Sequence, residues 1–328
     1  MDWLKGDLHT HSVYSDGTHT IEEKVKSARN AGLDFIALTD HHTMEPNNEI
    51  TGQESILVLP GIELGAMKRG HSNFIGCADP SPYPNGFEPQ NVEDMRRGMQ
   101  YAVSKGAFVS INHPFDEPGL CWEYGYDLPF HAVEIWNAPW RCINLYALQW
   151  WSARLRGGAR IPIVGGSDIH TNSDWMYHGT PTTVVGCKEP TKDAIIQSLK
   201  AGCCYIKESP QAVELSMHCG SAQLGEQASA SDGRDVEILL TQAWPGDRLE
   251  LHTAQGKMGE WTIEQSVLQM CYHAVPGDRF VRVEIWRRQA WQQRYPHMTN
   301  EMIELLQTPS LSMDEWLVLI GNPIYFNM

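Results

Sequence analysis

The stretch Asp7-Leu8-His9-Thr10-His11, followed by Ser15-Asp16-Gly17, decides how the rest of this 328-residue chain is read. Two histidines at i and i+2, after a short apolar run, lie on the same side of an extended strand because strand side chains alternate with period 2. That spacing predicts a chelate for one metal ion. Asp16, in a Ser-Asp-Gly turn, would return a carboxylate to the same mouth and hold a second ion. An isolated His-x-His also fits two partly buried histidines, so the rest of the chain has to decide.

The balance of charge removes several classes of partner. Asp and Glu number 40 against 25 Lys and Arg, a formal net charge of −15. Such a surface offers no general attraction to long nucleic acid or to anionic membrane, so an anionic substrate has to be held by local positive charge. The eight cysteines (Cys77, Cys121, Cys142, Cys187, Cys203, Cys204, Cys219 and Cys271) show no CxxC pairing. With no charged n-region and apolar h-region at the start, the expectation is a cytoplasmic protein with reduced thiols. No apolar run approaches the roughly 20 residues that cross a bilayer, and no membrane association is expected.

Strand-like and helix-like segments alternate through the first two thirds. Thr20 with Glu23 makes a capping box for a helix through about Ala31, stopped by Gly32. Residues 34–38 read as a buried strand entering Thr39-Asp40-His41-His42. The apolar run 56–64 carries Glu63 and, if it forms a hairpin with 71–77, places His71 across from Glu63. A helix over 91–105 precedes the strand 107–112, which delivers His113, with Pro114 preventing extension. The strand 132–136, a helix over 143–156 and the strand 161–165 follow, the last opening into Gly166-Ser167-Asp168-Ile169-His170. A short strand at 182–185 and a helix over 191–201 complete a series that predicts a mostly parallel sheet or barrel.

From about Pro210 the pattern turns β-rich, with runs at 213–217, 236–241, 248–253, 267–272 and 280–286 between turns such as Pro245-Gly246-Asp247. Residues 316–320 and 324–326 supply final strands. This part reads as a small antiparallel sandwich, giving two units, 1–209 and 210–328. Its histidines, His218, His252, His273 and His297, lack ligand spacing and read as structural or surface residues.

On this strand reading, His9, His11, Asp16, His41, Glu63, His71, His113, Asp168 and His170 all fall at or just beyond strand ends, where parallel barrels build their sites. Nine nitrogen and oxygen ligands exceed what one ion takes and suit three divalent cations. Three such ions bring +6 against −3 from Asp16, Glu63 and Asp168, a surplus that suits a hydroxide and a phosphoryl group. Metals lower the pKa of bound water toward about 7, so no Ser or Cys nucleophile is needed, and no Gly-x-Ser-x-Gly elbow is present.

The set DLHTHS, SDG, TDHH, GIE, GHSN, NHP and GGSDIH resembles the polymerase and histidinol phosphatase (PHP) family of metal-dependent phosphoesterases, over roughly residues 1 to 209. Within it, GGSDIHT through GTPTTVV and the terminal NPIYF are similar to the carbaryl-hydrolase-like (CehA/McbA) branch. The resemblance implies a distorted, TIM-like (β/α)7 barrel with a trinuclear site. It implies that His9, His11, Glu63 and Asp168 hold the first ion, that Glu63 bridges to a second bound by His71 and His113, and that Asp16, His41 and His170 hold the third. A His, Asp and Glu set of this kind accepts Zn, Mn or Fe.

Weaker candidates surround this set. Asp40 would orient a ligand or make an Asx turn. Lys68, Arg69, Arg141 and His178, in loops near the expected mouth, are candidates for contacting a phosphate, and His42 stands where relatives often have a smaller polar residue. Trp136 and Trp140 would stack on a substrate ring or pack in the core. The expected function is a phosphoesterase on a small phosphorylated molecule, such as a phosphomonoester or nucleotide, using a metal-bridging hydroxide. Alternatives are a carboxylesterase or carbamate hydrolase with the same centre, or a binding or oligomerisation role for the C-terminal part.

Overall fold

The computed structural model describes residues 1–77, 85–117, 120–173, 176–289 and 315–327. His297 lies outside them. The first strand, β1 (Asp2–Asp7), ends as the His-x-His segment begins. Helix α1 (Ile21–Ala31) starts at Thr20, which accepts from the Glu23 backbone while the Glu23 carboxylate takes the Thr20 N–H, and it stops at Gly32 in the left-handed conformation. These are the boundaries the capping box predicts. Strand β2 (Phe35–Ala37) follows and enters the Thr39–His42 segment.

The run expected as one strand over 56–64 is two, β3 (Leu57–Leu59) and β4 (Gly61–Ala66). Pro60 between them has no N–H to give a ladder, and the chain leaves one sheet there and enters another. Strand β5 (Gly70–Ile75) returns beside β4. Its register corrects the expected facing pair. His71 lies opposite Gly65 and Glu63 opposite Asn73, because the turn begins only after Ala66. His71 and Glu63 therefore meet diagonally on one face. Next come α2 (Val92–Ser104), β6 (Phe108–Ile111), β7 (Ala132–Asn137), α3 (Cys142–Arg156), β8 (Ile163–Gly166), β9 (Thr182–Cys187), α4 (Lys192–Ala201) and β10 (Cys204–Lys207).

These strands form two sheets, not one closed ladder. The first contains β3-β2-β1-β9-β10 and the second β4-β5-β6-β7-β8. Parallel pairing is confined to β1–β2, β2–β3, β6–β7 and β7–β8, while β1–β9, β9–β10, β4–β5 and β5–β6 are antiparallel. The regular alternation of a (β/α)7 barrel is thus not what the hydrogen bonds show. A parallel crossover needs a dozen or more residues, and neither the β3–β4 nor the β4–β5 connection has them. What joins the two sheets is a pair of isolated parallel bridges, Thr10 to Ile169 and His41 to Glu63.

Past residue 209 the chain adds β11 (Glu214–Cys219), β12 (Gln227–Ala228), β13 (Asp235–Thr241), β14 (Arg248–Thr253), β15 (Gly256–Thr262), β16 (Leu268–His273), β17 (Phe280–Arg288), β18 (Glu315–Gly321) and β19 (Ile324–Phe326). The β11-β13-β16 sheet is antiparallel, and β11 and β13 alternate buried and open residues, turning Leu215, Met217, Val236, Ile238 and Leu240 into a core shared with Leu249, Leu251, Val283 and Ile285. The other strands extend the first sheet, because β18 pairs antiparallel with β10 from Tyr205↔Gly321 to Lys207↔Leu319. The ladder is therefore continuous across residue 209. Among the described residues no helix is long and apolar enough to cross a membrane.

Candidate metal centre

Every one of the nine sequence-derived residues arrives at the seam between the two sheets. Thr10, which bridges to Ile169, is flanked by His9 and His11; Ile169 is flanked by Asp168 and His170; the second bridge is His41 to Glu63 itself. The seam is therefore built of candidate ligands and their immediate neighbours. His71 comes from β5, His113 from the end of β6, and Asp16 from the loop after β1.

Donor atoms gather in four overlapping groups, within 4.8 Å inside each: His9, His11 and Glu63; His9, His113 and Asp168; Glu63, His71 and His113; and His11, Asp16, His41 and His170. His9 Nε2 lies 3.1 Å from Glu63 Oε1 and 3.3 Å from Asp168 Oδ1, and His11 Nε2 lies 3.0 Å from Asp168 Oδ1. His41 Nδ1 is 3.0 Å from Glu63 Oε2, and His170 Nε2 is 3.2 Å from Asp16 Oδ1. Glu63 touches more of these rings than any other carboxylate.

Two observations test whether this set fits divalent cations. First, His9 Nε2, both nitrogens of His11, His41 Nδ1 and Glu63 Oε2 are buried without a hydrogen-bond partner. Orphaned buried polar atoms are costly, and here their lone pairs converge. Second, burial works to neutralise Glu63, yet the charges of His9, His71 and His41 outweigh it and hold its carboxyl well below the usual range. Asp168 is likewise held down against burial, by His9 and His11. Burial works to lower His9, but Asp168, Glu63 and Glu134 pull it well above the ordinary imidazole value. The carboxylates thus demand positive charge at the centre. Cations there would meet that demand and leave the imidazoles neutral, the form that ligates. His71 is already pushed down to about 4, chiefly by burial. The donor set fits.

Several polar residues behind the candidate ligands were not assigned a role from the sequence. Asn112 Nδ2 donates to Glu63 Oε1 at 2.7 Å, and Asn137 Nδ2 to Asp168 Oδ2 at 3.1 Å. Asp7 accepts from the Ser167 and Gly179 backbone N–H groups and from Ser167 Oγ, which ties β1 to the Asp168 segment. Glu134, in the middle of β7, contacts both His9 and His113. Each sits inside an apolar run or beside a proline or glycine, where nothing in spacing separates it from a capping or turn residue. Asp40 does not contact a ligand ring through a hydrogen bond. Its Oδ1 accepts from Ser12 N, Ser12 Oγ and Ser15 Oγ and so fixes the loop that leads to Asp16.

The weaker substrate candidates separate. Lys68 and Arg69 occupy the exposed β4–β5 turn. Arg141 stands before α3, with Nη2 donating to Asn137 Oδ1 at 3.1 Å and a buried, unpartnered Nε. His42 stacks on His41, with ring centres 5.7 Å apart. His178 departs from the expected loop position at the mouth. It is 1% exposed, with Nδ1 3.7 Å from Asp7, and an anion in solvent has no access to it. Trp136 and Trp140 pack edge to face in the core. In the β-rich part, His252 lies between Glu250 and Glu284, whose other oxygens already bind Arg248, Lys257 and Arg282.

Comparison with known proteins follows the same residues. Positions 7–105 match the family model described as the PHP domain. A Methanocaldococcus jannaschii protein, described as uncharacterized, is 24% identical over 162 residues, 44% of this chain and 90% of that protein. The phosphoribosyl 1,2-cyclic phosphate 1,2-diphosphodiesterase of Eggerthella lenta is 35% identical over 63 residues, 18% of this chain and only 24% of that enzyme. A solved two-domain protein from Bacteroides vulgatus, containing a predicted PHP-like metal-dependent phosphoesterase, has a TM-score of 0.52 at 20% identity. It covers 87% of this chain and 90% of its own, so the likeness in fold reaches into the β-rich last third.

Proposed function

From the match of residues 7–105 to the PHP domain family model, we propose that this chain is a metal-dependent phosphoesterase for a small phosphorylated molecule. The observation that carries this reading is the convergence of nine His, Asp and Glu side chains with buried, unpartnered donor atoms. On this reading the two bridged sheets would be the halves of a distorted (β/α)7 barrel with the centre at its mouth, and 210–328 would be an accessory unit. His9, His11, Glu63 and Asp168 would hold one cation, Glu63, His71 and His113 a second, and Asp16, His41 and His170 a third, each of them Zn, Mn or Fe. Bound there, such cations supply the Lewis acidity that activates water and offsets phosphoryl charge.

The chain's own side chains do the rest. Arg141 is the cation proposed for a phosphoryl oxygen, since its Nη2 donates to Asn137, which also holds Asp168, and so its guanidinium is held beside the centre. Asp40 and the serines it binds keep the Asp16 loop closed on His41 and His170.

His9→Ala or Asp168→Ala is expected to abolish both metal content and turnover, read by elemental analysis and by a panel of phosphomonoesters, nucleotides and aryl esters. Activity confined to the esters would replace this reading with a carboxylesterase or carbamate hydrolase. Protein that purifies without stoichiometric metal and gains nothing from Mn²⁺, Zn²⁺ or Fe²⁺ would overturn it.

A further inference from the structure

Glu134 is a buried carboxylate, 2% exposed, in the middle of β7, and its ion-pair partner is His9 rather than a lysine or arginine. Burying a charge is costly unless it is fully hydrogen-bonded. Three donors satisfy it: Oε1 lies 3.0 Å from His9 Nδ1, while Oε2 accepts from His113 N at 3.1 Å and from Asn137 Nδ2 at 3.2 Å. The β7–β8 pairing shifts register between Glu134 and Trp136, an irregularity of the kind that re-aims side chains. The neighbouring strand makes room: a Cβ on Gly166 would fall 2.8 Å from Glu134 Oε1 and 2.4 Å from His9 Cβ.

We propose that Glu134 is a positioning residue that fixes His9 and His113 as ligands and so controls two of the three cation positions. The proposal rests on the metal-centre reading above. A carboxylate oxygen can only accept, so the proton of a neutral His9 is held on Nδ1 and Nε2 keeps its lone pair toward Glu63 and Asp168. Its second oxygen accepts from the His113 N–H, where the backbone stands at φ 26°, a positive φ that few residues other than glycine adopt. One carboxylate thus sets a tautomer in one ligand and takes the backbone N–H of another. Its hydrogen bonds go to His9, His113 and Asn137, none of which belongs to the group formed by His11, Asp16, His41 and His170.

Glu134→Gln separates this role from a purely structural one. With its amide oxygen kept for the two donors from His113 and Asn137, the glutamine turns its NH2 toward His9 Nδ1. That makes Nδ1 the acceptor and moves the His9 proton to Nε2, the nitrogen that should ligate. Wild-type protein and Glu134→Gln are loaded with Mn²⁺ or Zn²⁺, desalted for elemental analysis, and titrated against a chromophoric chelator. Wild type is expected to retain three equivalents, and the variant to weaken by about 10- to 100-fold at two of them, the range for outer ligands to metal sites, with the third unchanged. Glu134→Asp, which keeps the charge at shorter reach, gives the same pattern in milder form and decides the matter if the glutamine variant does not fold. Unchanged affinity at all positions, or equal loss at all three, overturns the role of Glu134 alone. A wild-type protein that takes up no metal overturns the metal-centre reading itself and this proposal with it.

Discussion

Gly166 shows how little freedom single residues have around the centre. An added Cβ would lie 2.4 Å from His9 Cβ, 2.8 Å from Glu134 Oε1 and 3.0 Å from the His9 backbone nitrogen. Backbone and a fixed ligand cannot yield as the end of a flexible side chain can, so Gly166→Ala is expected to cost about 2 kcal/mol or more. Denaturant unfolding measures the loss, and metal content should fall with it; a variant as stable as wild type would contradict the packing. At this scale the sequence singled out the candidate ligands and was silent about the residues behind them. His9, His11, His41 and Asp168 stand in short motifs at strand ends, where a histidine or aspartate has few other uses. Glu134 and Asn137 occupy AVEIWN, whose pattern is that of any buried strand, and only the register shift and the fold around it reveal what they face.

Among the elements, helices were the most legible because their ends are encoded by local chemistry. The Thr20 and Glu23 pair closes α1 at both backbone and side chain, and Thr20→Ala should lower stability by about 1 kcal/mol. A thermal or denaturant melt checks this, with metal content expected to stay unchanged because α1 contributes no ligand. Strands were less legible. Pro60 splits a run that hydropathy alone joins. The edge strand β15 exposes most of its residues and has no apolar alternation to betray it. β10, four residues directly beyond the Gly202 cap, is not among the strands the sequence leads one to expect. The diagonal placement of His71 against Glu63 depends on where the β4–β5 turn begins, a matter of one or two residues that apolar pattern does not fix.

For the whole molecule, the strand-to-helix alternation announces a mixed α/β architecture but not how its sheet closes. Closure depends on long-range pairing, and the β3-to-β5 segment pairs antiparallel within a second sheet. The β-rich last third is equally bound up with the first: β18 lies beside β10, and Ile320 and Leu319 meet Ile206 and Lys207 across the ladder. A chain ended at residue 209 would bare that strand edge and the apolar face beneath it. It is expected to aggregate, as size-exclusion chromatography would show; a monomeric fragment with cooperative melting would show instead that the first 209 residues fold alone.

The placement of the candidate ligands along the seam has a consequence for inheritance. The segment that matches the PHP family model, 7–105, contains His9, His11, Asp16, His41, Glu63 and His71, while His113, Asp168 and His170 come from farther along the chain. A fragment or graft carrying the recognisable motif would therefore bring six of the nine candidates, drawn from both sheets, without the three that follow β6 and β8. The cluster belongs to no contiguous stretch, and it comes into being only when two sheets, each incomplete by itself, have already met.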